Sequence, residues 1–182
     1  MDPVLHLALP LLFLLALRIE ARTAVLLAPL AILPDFDAAF ELHRAAFHNF
    51  IFVILLPVGF IVYSKLKRPE WLAWALVAQF YLASHIILDL GGVALMWPIV
   101  KEQIFLDPEV TFNLQGGVNF VFHIEYGLKT YVPMGTTDFL SEQGFAIIFL
   151  GVLMAAIFRK EAVAFLRNTW TIIVSIIRRR KA

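Results

Sequence analysis

Asp35, Asp37, His43 and His48 fall within one short run, Leu-Pro-Asp-Phe-Asp-Ala-Ala-Phe-Glu-Leu-His-Arg-Ala-Ala-Phe-His-Asn, at the edge of an apolar stretch. Ionisable groups are expensive at membrane depth, so a cluster of them there marks a functional site. A second cluster, Ser84-His85-Ile86-Ile87-Leu88-Asp89, lies inside another apolar run. Imidazole nitrogens and carboxylate oxygens in this combination suit one or two divalent metal ions, zinc before manganese. The chain has no cysteine, which excludes thiolate ligation and disulfides.

Spacing distributes the roles. His85 and Asp89 are four apart, so on a helix both reach one ion or Asp89 orients the His85 ring. A buried His–Asp hydrogen bond joining two helices is the simpler alternative. Asp35 and Asp37 can bridge two cations, divide into ligand and base, or cap a helix N-terminus. At ~100° per residue, Asp37, Glu41, Arg44 and His48 share one helical stripe and His43 points away from it. Either the helix starts after His43, or the two histidines serve different metals or roles. Glu41 is the spare carboxylate for proton transfer, and the Arg44 guanidinium suits a phosphate oxygen unless it pairs with Glu41 or Asp37. His6, His123 and Glu125 are further metal candidates. His6 can simply sit at a water interface, and His123 and Glu125, being alternate residues, share a face only on an extended segment.

These residues must be positioned by a membrane protein. Of 182 residues, 61% are hydrophobic and the mean hydropathy is +0.83, well above a soluble domain. The length predicts one domain over residues 1–182, an all-α bundle of about four to five spanning or half-spanning helices. Residues 4–17 lack a basic start and a small-residue cleavage site and are read as a retained helix. Residues 23–33 form a run too short to span unaided, and Pro34 biases Leu33 away from helical geometry, which puts Asp35 and Asp37 in a turn. A helix is expected from about Asp37 through His48 to Tyr63, kinked near Pro57 and Gly59, then a span over residues 71–90 closed by Gly91-Gly92. Residues 97–142 are too long for a tight connection, and a last span covers residues 145–158. The tail, residues 159–182, alternates apolar and basic faces as a helix lying on a membrane surface does.

Arg18 and Arg22, Lys65, Lys67 and Arg68, Arg159 and Lys160, and the basic residues at 178–181 fall at alternate ends of these spans. Those ends, and the tail, are expected in the cytoplasm. Residues 97–142 and every candidate ligand then face the non-cytoplasmic side of a multi-pass cell membrane protein. The formal net charge of +1 conceals this asymmetry, and the tail's positive charge reads as a membrane anchor, with no nucleic-acid partner expected. Membrane lipids are the expected surroundings.

The order of an early His6, Leu33-Pro34-Asp35-Phe36-Asp37, His43-Arg44-Ala45-Ala46-Phe47-His48, Ser84-His85-Ile86-Ile87-Leu88-Asp89 and Trp97-Pro98 resembles the YdjM-like family of inner-membrane proteins regarded as metal-dependent hydrolases. The resemblance covers roughly the first hundred residues. The family usually carries His-Arg-Gly-x-Thr-His-Ser, where this chain has Ala45, Phe47 and Asn49, and the threonine that commonly precedes Trp-Pro is replaced here by an earlier Gly91-Gly92. Ligand types survive while polar neighbours differ. The His-x-x-x-Asp element is also similar to zinc-dependent phospholipase C enzymes. The resemblance implies a metal held by Asp35, Asp37, His43, His48, His85 and Asp89. With Arg44 and a site at headgroup level, the expected activity is hydrolysis of a phosphoester or pyrophosphate in an amphiphilic, lipid-like substrate at the outer membrane interface, a lipid phosphoesterase. The alternative is a non-enzymatic metal-binding membrane protein or a transporter.

Overall fold

The computed structural model describes residues 3–113, 119–133 and 141–160, with residues 163, 164, 167, 170 and 171 of the tail. The surface-lying tail helix expected over residues 159–182 therefore falls largely outside the described residues. Among the described residues the chain is mostly helical, with one two-stranded antiparallel sheet. Five α-helices are described: α1 (Pro3–Ala16), α2 (Ala21–Leu27), α3 (Leu56–Lys67), α4 (Leu72–Leu88) and α5 (Glu142–Ile157).

Two segments, Ala21–Phe40 and Pro69–Leu88, are long and apolar enough to cross a bilayer, each 20 residues. The first departs from the expected turn at Pro34. Leu33 stays helical (φ −59°, ψ −41°), and Pro34 opens a 3₁₀ helix, Pro34–Phe40, with Asp35 and Asp37 in its first turn. Proline is tolerated at a helix start because its missing N–H is one that has no helical partner there. α1 and α5 are shorter than an upright span of ~20 residues. Their outer faces expose Leu12 and Phe13, and Phe145, Phe149 and Val152, an apolar surface suited to lipid rather than water.

α4 organises the bundle, packing on α1, α2 and α3. Ala24, Ala28 and Ala31 form a small-residue seam that lets α2 and the following 3₁₀ turn, Ala28–Ala31, approach the Val77 and Tyr81 side of α4 closely. At that seam the buried Tyr81 hydroxyl donates to the Ala24 carbonyl at 2.7 Å. A second apolar cluster, Val53, Leu82, Ile86 and Val93, joins α4 to the segments on either side of the candidate ligands.

The continuous helix expected from Asp37 to Tyr63 does not form. The chain turns through residues 41–49, passes one π-helical turn, Ile51–Leu55, and only then enters α3. Two non-glycine residues in the turn are left-handed, Glu41 at φ 59° and Arg44 at φ 66°. Such conformations cost roughly 1–2 kcal/mol each and persist where surrounding contacts impose them. Glu41 closes the 3₁₀ helix, its N–H directed at the Ala38 and Asp37 carbonyls, while around Arg44 the contacts come from distant chain: Ala94 N–H donates to the Arg44 carbonyl at 2.9 Å, Phe50 N–H to the Leu95 carbonyl at 2.7 Å, and the Tyr131 hydroxyl to the His43 carbonyl at 3.0 Å.

The all-α expectation is corrected between α4 and α5. Strands β1 (Glu102–Asn113) and β2 (Asn119–Thr130) pair antiparallel, with Glu102 opposite Thr130. Pro108 and the acidic residues inside the run obscure the strand signal, yet the alternation Ile104, Leu106, then Ile124, Tyr126, Leu128 has the period of two that strands require. The base of this ribbon is fastened to the end of α4 by Leu106 N–H to the Leu90 carbonyl at 2.7 Å and by a bridge between Val93 and Ile104.

Candidate metal centre

Four separate stretches of chain deliver ionisable side chains to one buried point. α1 supplies His6, the 3₁₀ helix Asp35 and Asp37, the turn His43, Arg44 and His48, and the end of α4 His85 and Asp89. His6, Asp37, His48 and His85 are each 0% exposed and Asp89 is 1% exposed. Burial of this many ionisable groups is tolerated only when each is paired or ligates a cation.

The two aspartates of the 3₁₀ helix differ in what they touch. Asp37 Oδ2 accepts from the His48 ring at Nδ1, 2.9 Å, and from the backbone N–H groups of Phe47 and Ala45 at 3.2 and 3.3 Å, while Oδ1 lies 3.3 Å from His43 Nδ1. Its acceptor capacity is occupied in holding the turn and the two rings. Among the described residues neither carboxylate oxygen of Asp35 has a hydrogen-bond partner, although Oδ1 lies 3.5 Å from His85 Nε2 and Oδ2 lies 3.8 Å from His6 Nδ1.

Tautomers follow from the fixed acceptors. His85 Nδ1 sits 2.6 Å from the Ala31 carbonyl oxygen, which can only accept, so that nitrogen carries the proton. His48 Nδ1 donates to the Asp37 carboxylate in the same way. In the neutral rings both Nε2 atoms therefore present lone pairs, and they lie 3.0 Å apart. Asp89 Oδ2 is 3.4 Å from His48 Nε2 and 3.7 Å from His85 Nε2. Electron-pair donors converging this closely need a proton or a metal cation between them. Two nitrogens on one zinc ion, each ~2.0–2.1 Å from it, stand roughly 2.9–3.4 Å apart, and the observed separation lies in that range.

Two sets of ligand atoms, each within 4.8 Å of one another, could hold an ion: Asp35, His48, His85 and Asp89, and Asp37, His43 and His48. His6 borders the first set. Its ring stacks on His85 with centroids 3.9 Å apart, and its Nε2 is 3.4 Å from Asp89 Oδ1. The structure thus brings His6 into the centre, although in sequence it is only a further candidate beside His123 and Glu125. The only signal available was its position at the same end of the bundle as the other ligands.

Arg44 reaches the centre from the rim. Its Nη2 is 3.5 Å from Asp89 Oδ1, so its acidic neighbour is Asp89 rather than Glu41 or Asp37. The guanidinium side chain is 24% exposed, and its buried Nε has no hydrogen-bond partner among the described residues. Glu41 is exposed on the turn and, among the described residues, its side chain makes no hydrogen bond or ion pair. His123 and Glu125 lie apart from the centre, exposed on β2 and 3.4 Å from one another, on the extended backbone that alternate residues need to share a face.

One residue that sequence did not single out completes the surroundings. Tyr131 packs with Ala45 and Ala94 and holds the His43 carbonyl. Burial, and then the Asp37 charge, raise its phenol above the ordinary value, so it remains a donor at neutral pH. No local pattern marks it.

No curated protein and no solved structure matches this chain. Residues 1–168, which carry every group of the centre, match the YdjM inner membrane proteins, and the chain belongs to the YdjM inner membrane protein family.

Proposed function

We propose that this protein is a membrane-embedded, metal-dependent hydrolase acting on a phosphoester or pyrophosphate of an amphiphilic, lipid-like substrate at the non-cytoplasmic interface. The observation that carries this reading is the facing pair of lone-pair nitrogens, His48 Nε2 and His85 Nε2, flanked by Asp35 and Asp89, with a partly exposed guanidinium at the rim. Asp35, His48, His85 and Asp89 would hold the ion, zinc or manganese, with His6 beside them. A divalent cation there supplies Lewis acidity, polarising the scissile group and acidifying a water molecule.

The chain's own residues do the rest. Asp37 fixes the His48 tautomer and ring plane, as a carboxylate behind a metal-binding imidazole does. Arg44 offers its outer nitrogens to a phosphoryl oxygen arriving from the exposed side, and its charge resists a second cation there. Glu41, the exposed carboxylate of the same turn, would pass protons to water, a role for which the helical stripe that suggested it is replaced by the turn. The basic clusters at alternate ends of the helices support the non-cytoplasmic orientation.

The nearly complete burial of the ligands favours one other reading, a closed structural or transport site, because closed shells are the mark of structural metals. Turnover of lipid phosphates, diesters and pyrophosphates by purified, metal-loaded protein separates the two. The hydrolase reading expects metal-dependent release. Arg44→Ala should weaken phosphorylated substrates roughly ten- to a hundredfold more than neutral ester analogues, the about 1.5–3 kcal/mol of a charged hydrogen bond. Glu41→Gln should keep metal and lose turnover. No metal-dependent hydrolysis across that panel would leave the structural or transport site standing.

A further inference from the structure

The β1–β2 ribbon has two unlike faces. Residues directly opposite in an antiparallel pair share a face, so the register sets Ile104, Leu106 and Pro108 of β1 beside Leu128, Tyr126 and Ile124 of β2. The other face pairs Gln103 with Lys129, Asp107 with Glu125 and Glu109 with His123. From Ile104 to Pro108 one surface is apolar, bounded at its root by the pair Glu102 and Thr130, and the other carries these polar and charged pairs on either side of Phe105 and Gly127. The apolar surface is open: Tyr126 is 78%, Leu128 68% and Ile124 57% exposed, and Phe122, further along the same face, is 74% exposed.

A two-stranded ribbon in water is marginal at best, and one carrying an uncovered apolar face needs a surface to lie on. We propose that the apolar face of this ribbon rests on the lipid bilayer, in the leaflet at the metal-centre end of the bundle. The chain leaves the end of α4, the last turn of a candidate span, and the ribbon is fastened there by the Leu90, Gly91 and Val93 backbone. Near its root Ile87, Ile99 and Val132 are exposed, 65%, 85% and 63%, so apolar side chains flank the junction of helix and ribbon, where Glu102 and Thr130 are the polar pair. The bilayer is thus already beside the face that needs covering.

Depth follows from the backbone. Beyond Leu106, where the bonds to Val93 and Leu90 end, both outer edges of the ribbon present N–H and C=O groups with no strand beside them among the described residues, which the hydrocarbon core does not satisfy. The ribbon therefore lies flat at headgroup level, about 40 Å long at ~3.4 Å per residue, with Tyr126 in the interfacial zone and Asp107, Glu109 and Glu125 toward water. It would border the entrance to the metal centre without contributing a ligand.

The absence of native cysteine makes the test direct. Single cysteines at Leu106, Ile124 and Tyr126, and at Asp107 and Glu125 as opposite-face controls, are spin-labelled in the full chain and reconstituted into phosphatidylcholine vesicles. Collision rates with oxygen and with a water-soluble nickel chelate are then measured. Apolar-face labels should show severalfold lower nickel and higher oxygen accessibility than the controls, alternating residue by residue. Equal water accessibility on both faces would overturn the proposal. Spin–spin broadening at Ile124 that vanishes on dilution with unlabelled protein would overturn it in favour of a second copy of the chain. Because all five positions are exposed, the labels do not disturb a packed core, and retained metal content checks the fold of each variant.

Discussion

Replacing each aspartate of the 3₁₀ helix by asparagine separates a ligand from the group that orients a ligand. Asp37 already accepts three N–H groups on one oxygen and faces His43 with the other, whereas Asp35 accepts none. Asp37→Asn keeps one carbonyl oxygen for the turn but replaces the second acceptor with an N–H₂ group. That group meets the Nδ1 of one of the two histidines, and the charge that favours the His48 proton on Nδ1 is gone. Outer partners of this kind change metal affinity by about 10–100-fold, or about 1.4–2.7 kcal/mol. Asp35→Asn instead removes an anionic ligand, and His85→Ala a nitrogen ligand, so both should lose most of the bound metal. The assay is metal content of purified protein, followed by competition with a chromophoric chelator for zinc and for manganese. The reverse order, with Asp37→Asn abolishing binding and Asp35→Asn leaving it near wild type, would refute this division of roles. Stoichiometric metal retained in both His85→Ala and Asp37→Ala would remove the centre altogether.

Two further outcomes are expected. Single cysteines at Thr136 and Ala182 should label from opposite sides of sealed cells if the basic clusters orient the chain as the sequence predicts, with residues 97–142 outside and the tail inside; labelling from one side would reverse or discard that orientation. Tyr81→Phe leaves the Ala24 carbonyl without its 2.7 Å partner at the alanine seam, and should lower unfolding stability in detergent by about 0.6–2 kcal/mol while metal content stays unchanged.

Much of the centre was legible because polar residues in an apolar chain are few and expensive to bury. Asp35, Asp37, His48, His85 and Asp89 stand out against their neighbours without any knowledge of the fold, and their order with Trp97-Pro98 carried the family resemblance that the match over residues 1–168 confirms. The path of the chain between them was not legible. A helix through residues 37–63 has the right periodicity, and nothing local forbids it. What breaks it is left-handed backbone at Glu41 and Arg44, residues with no intrinsic preference for that geometry. At Glu41 it closes the 3₁₀ helix through local bonds to the Ala38 and Asp37 carbonyls, whereas the partners around Arg44 come from residues 94, 95 and 131, the last of them 88 positions away from His43. Sequence showed the consequence without the cause: His43 and His48 could not both face one point from a regular helix.

The same limit explains His6 and the ribbon. An isolated histidine near the start of an apolar helix has no spacing relation to other ligands, and its value appears only when α1 lays it on the His85 ring. The ribbon's alternation is clear once the register is known, but in sequence Asp107, Pro108 and Glu109 interrupt it. Pro108 is tolerable because a two-stranded ribbon is all edge, so its missing N–H need not break a ladder. The interruption that hid the strand therefore also fits its architecture: no strand lies on the outer side of β1 at Pro108 among the described residues, Asp107 and Glu109 share one face, and the apolar residues from Ile104 to Pro108 lie on the other.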